Sequence, residues 1–126
     1  MEVFRKYFSE SQLKDLEESG PNWGVNVHTV GHHVHPPQRA YPDPEHPSTH
    51  VFQWEKGRRL REFQMVYIAG GRGIYEGDGL EPVAIGAGTL MMHFPEVWHR
   101  YKPSPETGWE EFWVGFDGHF AEYLMG

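Results

Sequence analysis

Cysteine is absent from the 126 residues, which removes disulfides, thiolate nucleophiles and Cys-ligated zinc sites at once. Positive charge is scarce. Against 18 Asp and Glu stand 11 Lys and Arg, a formal net charge of −7, so the chain offers no basic surface of the kind that binds nucleic acid. No apolar run is long enough to span a membrane, and the start, Met1 to Lys6, lacks the apolar core of a secretory leader. These absences lead to the expectation of a soluble, cytoplasmic domain. Long helices are disfavoured too, because 15 glycines and 10 prolines cut the chain into short segments. Aromatic bulk is plentiful: 8 Phe, 6 Tyr and 5 Trp supply apolar surface for one hydrophobic core of ordinary size.

Residues 9–19 fit a short helix, with Ser9 as cap, Gln12 three residues on, Leu13 and Leu16 on one face, and Gly20-Pro21 as the stop. Trp23 to His35 alternates as a strand does. Pro36 to Pro47 holds five prolines, which exclude regular helix or central strand and leave a surface arm or lid. Strand-like segments resume at Val51–Trp54 and Glu62–Ile68, bend at Gly70-Gly71-Arg72-Gly73, continue through Ile74–Glu76, and recur at Val83–Ile85, Gly86–His93, Trp98–Lys102 and Trp109–Phe116. Short strands with glycine-rich turns at this spacing indicate an all-β sandwich or barrel. Asp117 is placed to cap a terminal helix in which Phe120, Tyr123 and Leu124 share a face. The expected organisation is one domain over 1–126: a helical lead-in at 1–21, a barrel over 22–116 with its arm at 36–47, and the start of a helix at 117–126. A chain that stops inside such a helix is expected to be a piece of a longer protein.

Nine histidines raise the question of a metal. His33-Val34-His35 and the pair His46/His50 both flank the proline arm rather than a barrel strand with a buried carboxylate nearby, so solvated side chains are expected. The stretch Gly88-x5-Phe94-x-Glu96-x-x-His99 resembles the second motif of the cupin superfamily. A metal-binding cupin also needs two histidines and a glutamate upstream, whereas Arg61 to Gly70 holds one carboxylate and no histidine. One imidazole and one carboxylate fall short of the three protein ligands of a catalytic centre, so neither metal nor other cofactor is expected. No nucleophile–base pairing stands out either, since the five serines fall in helix caps or proline-rich loops.

The aromatic strands carry more. His99 and Tyr101 share one strand face, as do Trp109, Glu111 and Trp113. A six-residue loop joins the two strands, which favours an antiparallel pair with His99, Tyr101, Glu111 and Trp113 in one place. An indole covers the C–H face of a sugar ring while a phenol and a carboxylate bind its hydroxyls. The alternative is ordinary core for the tryptophans, with Glu111 in water at the barrel mouth.

Several segments together resemble the N-terminal domain of AraC-family transcription regulators. They include Tyr41-Pro42, Phe52-x-Trp54, Gly57-Arg58-x-Leu60-x-Glu62-x-Gln64, Tyr67-Ile68-x-x-Gly71-x-Gly73, Phe94-Pro95-x-x-Trp98-His99-Arg100-Tyr101 and Gly108-Trp109-x-Glu111-x-Trp113-x-Gly115-Phe116. The resemblance implies a mainly β, cupin-like double-stranded β-helix (a jelly-roll barrel) that takes a small effector, often a sugar, in its interior. It implies a homodimer whose arrangement responds to the effector, and a helix-turn-helix DNA-binding domain beyond residue 126. Sugar contacts in the arabinose-responsive member match Tyr101 and Trp113, and less closely Glu111, where that member has a histidine. An arginine contact matches Arg58 or Arg59. His99 is expected as a wall of the same pocket. No catalytic residue and no enzymatic activity are expected. Two other classes remain open: a small cupin enzyme, such as an isomerase or metal-dependent dioxygenase, and a plain dimerisation domain with a filled barrel.

Overall fold

The computed structural model describes residues 2–12, 14, 24–38 and 54–125. The chain is mainly β, as expected. Its strands are β1 (Glu2–Tyr7), β2 (Asn26–His35), β3 (Phe63–Gly77), β4 (Val83–Gly86), β5 (Thr89–His93), β6 (His99–Pro103) and β7 (Trp109–Asp117). A short helix α1 includes residues 10–12 and 14, and α2 (His119–Met125) follows the last strand. No helix among the described residues is long and apolar enough to cross a membrane.

All strand pairs are antiparallel. β1, β2, β7, the first half of β3 and β5 form one sheet, in that order of contact. The second half of β3 pairs with β4 and β6 to form the other. β3 therefore belongs to both walls of the barrel. It bends where the sequence reads Gly70-Gly71, beside a register shift between Ile68 and Gly70. Gly71 has φ 83°, and a Cβ there would overlap the Gly108 carbonyl, so the bend requires glycine.

Alternation decides what faces inward. Val66, Ile68, Met91, Tyr101, Trp109 and Trp113 belong to the interior cluster, while Phe63 and Phe116 pack outside the barrel beneath Ala121 of α2. On the outer face of the larger sheet, the register aligns Phe4, His32, Phe112, Tyr67 and Leu90 in one row across five strands.

Several expectations are corrected. Residues 2–7 are a strand rather than a lead-in to the helix. The helix that follows does carry the expected cap: Ser9 Oγ accepts from Gln12 N–H at 3.1 Å, and Gln12 Oε1 accepts from Ser9 N–H at 2.9 Å. Asp117 does not cap α2. Its carboxylate lies 2.8 Å from His28 Nε2, and the N–H groups of Phe120 and Ala121 donate to the Gly24 carbonyl instead. Trp54 stands in a turn. The arm from 39 to 47, the strand expected at 51–53, and His46 and His50 lie outside the described residues.

Candidate functional site

β6 and β7 do not pair. β6 bonds to β3 in one sheet, and β7 lies between β2 and β3 in the other. The expected hairpin fails because Gly108 packs against the His35 carbonyl and Pro36, which delivers β7 to β2. The inward faces of β6 and β7 nonetheless meet, across the barrel instead of side by side. His99, Tyr101, Glu111 and Trp113 are all buried, and the Tyr101 and Trp109 rings approach to 5.8 Å between centroids.

Arg58 ties the β6 wall together. Its backbone exchanges two hydrogen bonds with His99, N–H to carbonyl at 2.9 Å and carbonyl from N–H at 3.0 Å. Its guanidinium donates from Nε to His99 Nε2 at 3.0 Å, and from Nη2 to Gln64 Oε1 at 3.0 Å and the Tyr101 hydroxyl at 2.6 Å. Arg59, the other arginine expected near the site, points to solvent.

These bonds assign the imidazole protons. His99 accepts on Nε2, so its proton sits on Nδ1, 3.3 Å from the Val97 carbonyl. Gln64 Oε1 accepts from Arg58 and therefore also from His93 Nδ1, at 2.9 Å. His93 Nε2 is then an unprotonated, buried atom with no partner. The His93 and His99 rings stack at 3.8 Å and 6°, and Tyr101 continues the layer 5.2 Å from His93. Burial, with the Arg58 cation beside it, holds His99 down to about 3. Burial, His99 and Arg58 together hold His93 well below the usual histidine range. Two neutral imidazoles stack without repulsion, and the proton that would charge either is excluded first by burial and then by the guanidinium. The His99 lone pair is thereby occupied, and among the described residues no three His, Asp or Glu side chains are grouped to hold a metal ion.

The opposite wall is built on β2 and β7. Trp113 lies flat over Gly31, where a Cβ would overlap the indole ring, and donates from Nε1 to Thr29 Oγ1 at 3.1 Å. Two residues along, Glu111 is 4 % exposed and faces His33, with 3.9 Å between carboxylate and Nδ1. Burial pushes the Glu111 carboxyl up to about 7, against the pull of Arg58 and Arg5. His33 and His35 are buried rather than solvated, a correction with a plain cause. β2 is a central strand between β1 and β7, so one of its faces is interior whatever the proline-rich sequence that follows.

Sequence reasoning missed His93, Gln64 and His33 as interior polar groups, and β1 with its partly buried Arg5 and Tyr7. The signal for His93 was present, since it alternates with Met91 in a strand read correctly. β1 gave no usable signal because its pattern is inverted: Phe4 is exposed while Arg5 is partly buried.

Among solved structures, a predicted oxalate decarboxylase from Thermotoga maritima superposes with a TM-score of 0.51 at 17% identity, over 74% of this chain and 80% of that one. A cupin protein from Bacteroides fragilis superposes with a TM-score of 0.47 at 15% identity, over 82% and 75%. At 17% identity the Thermotoga likeness is one of fold. Comparison with curated protein sequences gives no significant match. The family model described as the AraC-like ligand binding domain matches residues 45–126, which include Arg58, β6, β7 and the terminal helix. The chain belongs to the AraC-like ligand binding domain family.

Proposed function

We propose that this ligand-binding domain takes a small polyhydroxylated effector, a carbohydrate, into the barrel and uses its occupancy to control DNA binding by a longer regulator. The observation that carries the reading is the interior placement of the Trp113 indole beside Glu111, across from Tyr101 and Arg58. The indole offers a flat apolar face, and the other three offer an acceptor, a hydroxyl and a fork of donors. Arg58 is the group whose partners change. A ligand hydroxyl accepting from Nη2 displaces the Tyr101 phenol, which then binds a second hydroxyl.

In this reading a helix-turn-helix domain beyond residue 126 contacts DNA, and a homodimer pairs two such domains. The effector favours whichever dimer arrangement it binds more tightly. The domain is a cytoplasmic sensor without catalysis or cofactor, a role supported by the engagement of the His99 lone pair by Arg58.

Thermal denaturation against a panel of mono- and oligosaccharides tests the proposal. At least one sugar should raise the Tm of the wild type, and Trp113→Ala and Arg58→Ala should each abolish the rise. A panel that moves none of the three proteins defeats the carbohydrate reading.

A further inference from the structure

His93 has no role in the reading above, yet it turns an acceptor toward the barrel interior. It alternates with Met91 of the interior cluster, so its ring points inward from β5, and the residue is 2% exposed. Nε2 lies on the side of an imidazole away from Cβ, so it reaches further from the strand than Nδ1 does. The ring is fixed in this pose. Its Nδ1 proton is committed to Gln64 Oε1 at 2.9 Å, and that oxygen is held in turn by Arg58 Nη2 at 3.0 Å. The ring stacks on His99 at 3.8 Å and on Tyr75 at 5.8 Å, with interplanar angles of 6° and 8°. Turning it over would break the Gln64 bond and set a C–H against the oxygen. Protonation offers no relief, because burial, His99 and Arg58 all oppose it. Nε2 is thus a lone pair with no hydrogen-bond partner among the described residues, and buried acceptors are rarely left so.

We infer that His93 Nε2 is a ligand-binding acceptor, which takes a hydrogen bond from a hydroxyl of the effector and excludes a carboxylate from this end of the site. The Arg58 guanidinium, bonded to Gln64, His99 and Tyr101, would by itself favour a carboxylate. His93 reverses that preference. An ionised carboxylate carries lone pairs only and would meet the Nε2 lone pair with no proton between them. A hydroxyl both accepts and donates, so a sugar can take a proton from the arginine fork and offer one to the imidazole. The Tyr101 ring lies 5.2 Å from His93, which sets this acceptor beside a residue already assigned to the ligand. The role rests on the ligand reading above and narrows it from polyhydroxylated molecules in general to uncharged ones, sugars or polyols rather than sugar acids.

The test is calorimetric titration of the wild type, His93→Phe, His93→Gln and Trp113→Ala with the neutral sugars of the thermal panel, among them glucose, galactose and mannose, each beside its uronic acid. Phenylalanine keeps the ring and removes both nitrogens, whereas glutamine gives up the ring and sets an amide oxygen near the place of Nε2. A neutral sugar should bind the wild type, and its uronic acid should bind at least about tenfold more weakly. His93→Phe should lose roughly 10- to 100-fold in affinity for the neutral sugar, and His93→Gln should lose less. A second measurement needs no variant. In isotope-labelled wild type the His93 Nε2 nitrogen should resonate as an unprotonated imidazole nitrogen and shift toward the protonated position as the sugar binds. A sugar that binds the wild type, fails on Trp113→Ala and binds His93→Phe unchanged overturns the role of His93 and leaves the carbohydrate reading standing. So does an Nε2 resonance that sugar binding does not move, or a uronic acid that binds more tightly than its parent sugar. A panel that binds none of the four proteins defeats the carbohydrate reading and this role together.

Discussion

Replacing Glu111 by glutamine isolates the electrostatic cost of the interior. The carboxyl is pushed up to about 7 from an unfolded value of 4.5, with burial as the main cause. Each pKa unit corresponds to about 1.4 kcal/mol, so ionising Glu111 inside the fold removes about 3 kcal/mol of stability. The sign follows from linkage. Below pH 4.5 the group is protonated in both states and has no pH-dependent effect. Between pH 4.5 and 7 the unfolded chain releases its proton while the folded one retains it, and stability falls. Above pH 7 the loss is constant. Glutamine has nearly the same shape and does not titrate, so Glu111→Gln escapes this loss. Urea denaturation of both proteins at pH 4, 5, 6, 7, 8 and 9 measures it. The variant should gain on the wild type by about 3 kcal/mol between pH 4 and pH 8, with little change beyond. Stability curves that run parallel across that range would refute the claim that Glu111 is buried without full compensation from Arg5, Arg58 and His33.

The histidines set the opposite limb. His99 is held down to about 3 from 6.5, so the unfolded chain takes up protons that the fold refuses, and stability should decline as pH falls below 6.5. Glu111→Gln should leave that acid limb in place, as denaturation between pH 6.5 and 4 will show. Gly31→Ala pushes a methyl into the Trp113 indole and should cost about 1–3 kcal/mol with a shift in tryptophan emission, read by fluorescence-detected unfolding. Glu96 holds φ 65°, so Glu96→Gly should raise stability by up to about 1 kcal/mol in the same assay.

Face assignment in β6 and β7 was legible because strict alternation leaves no choice once a strand is recognised. His99 and Tyr101, and Trp109, Glu111 and Trp113, are inward together as their spacing requires. Pairing was not legible. A connection this short closes a hairpin or crosses between sheets with equal ease, and the decision rests on Gly108 meeting the chain at His35 and Pro36, some seventy residues earlier in sequence. The same non-local cause buries His33, whose partners Glu111 and Glu2 sit on strands remote from it. Arg58 entered the sequence reading only through family resemblance. Nothing local to Gly57-Arg58-Arg59 distinguishes the guanidinium that turns inward from the one that does not. The direction is fixed by the two backbone bonds that Arg58 makes to His99.

The passage of β3 through both sheets has a consequence for how the chain reaches its fold. Residues 63–77 pair with β4, β5, β6 and β7, so this one strand is the hub for four of the other six described strands. The link to β7 joins residues far apart in sequence, from Phe63 with Phe116 to Gly71 with Trp109, and contacts of that separation place folding in the slow range of milliseconds to seconds. New termini opened in the turn at 78–79 should leave the hub whole, whereas a cut at Gly70 would divide a strand that both walls share. The barrel has two sheets and one continuous spine.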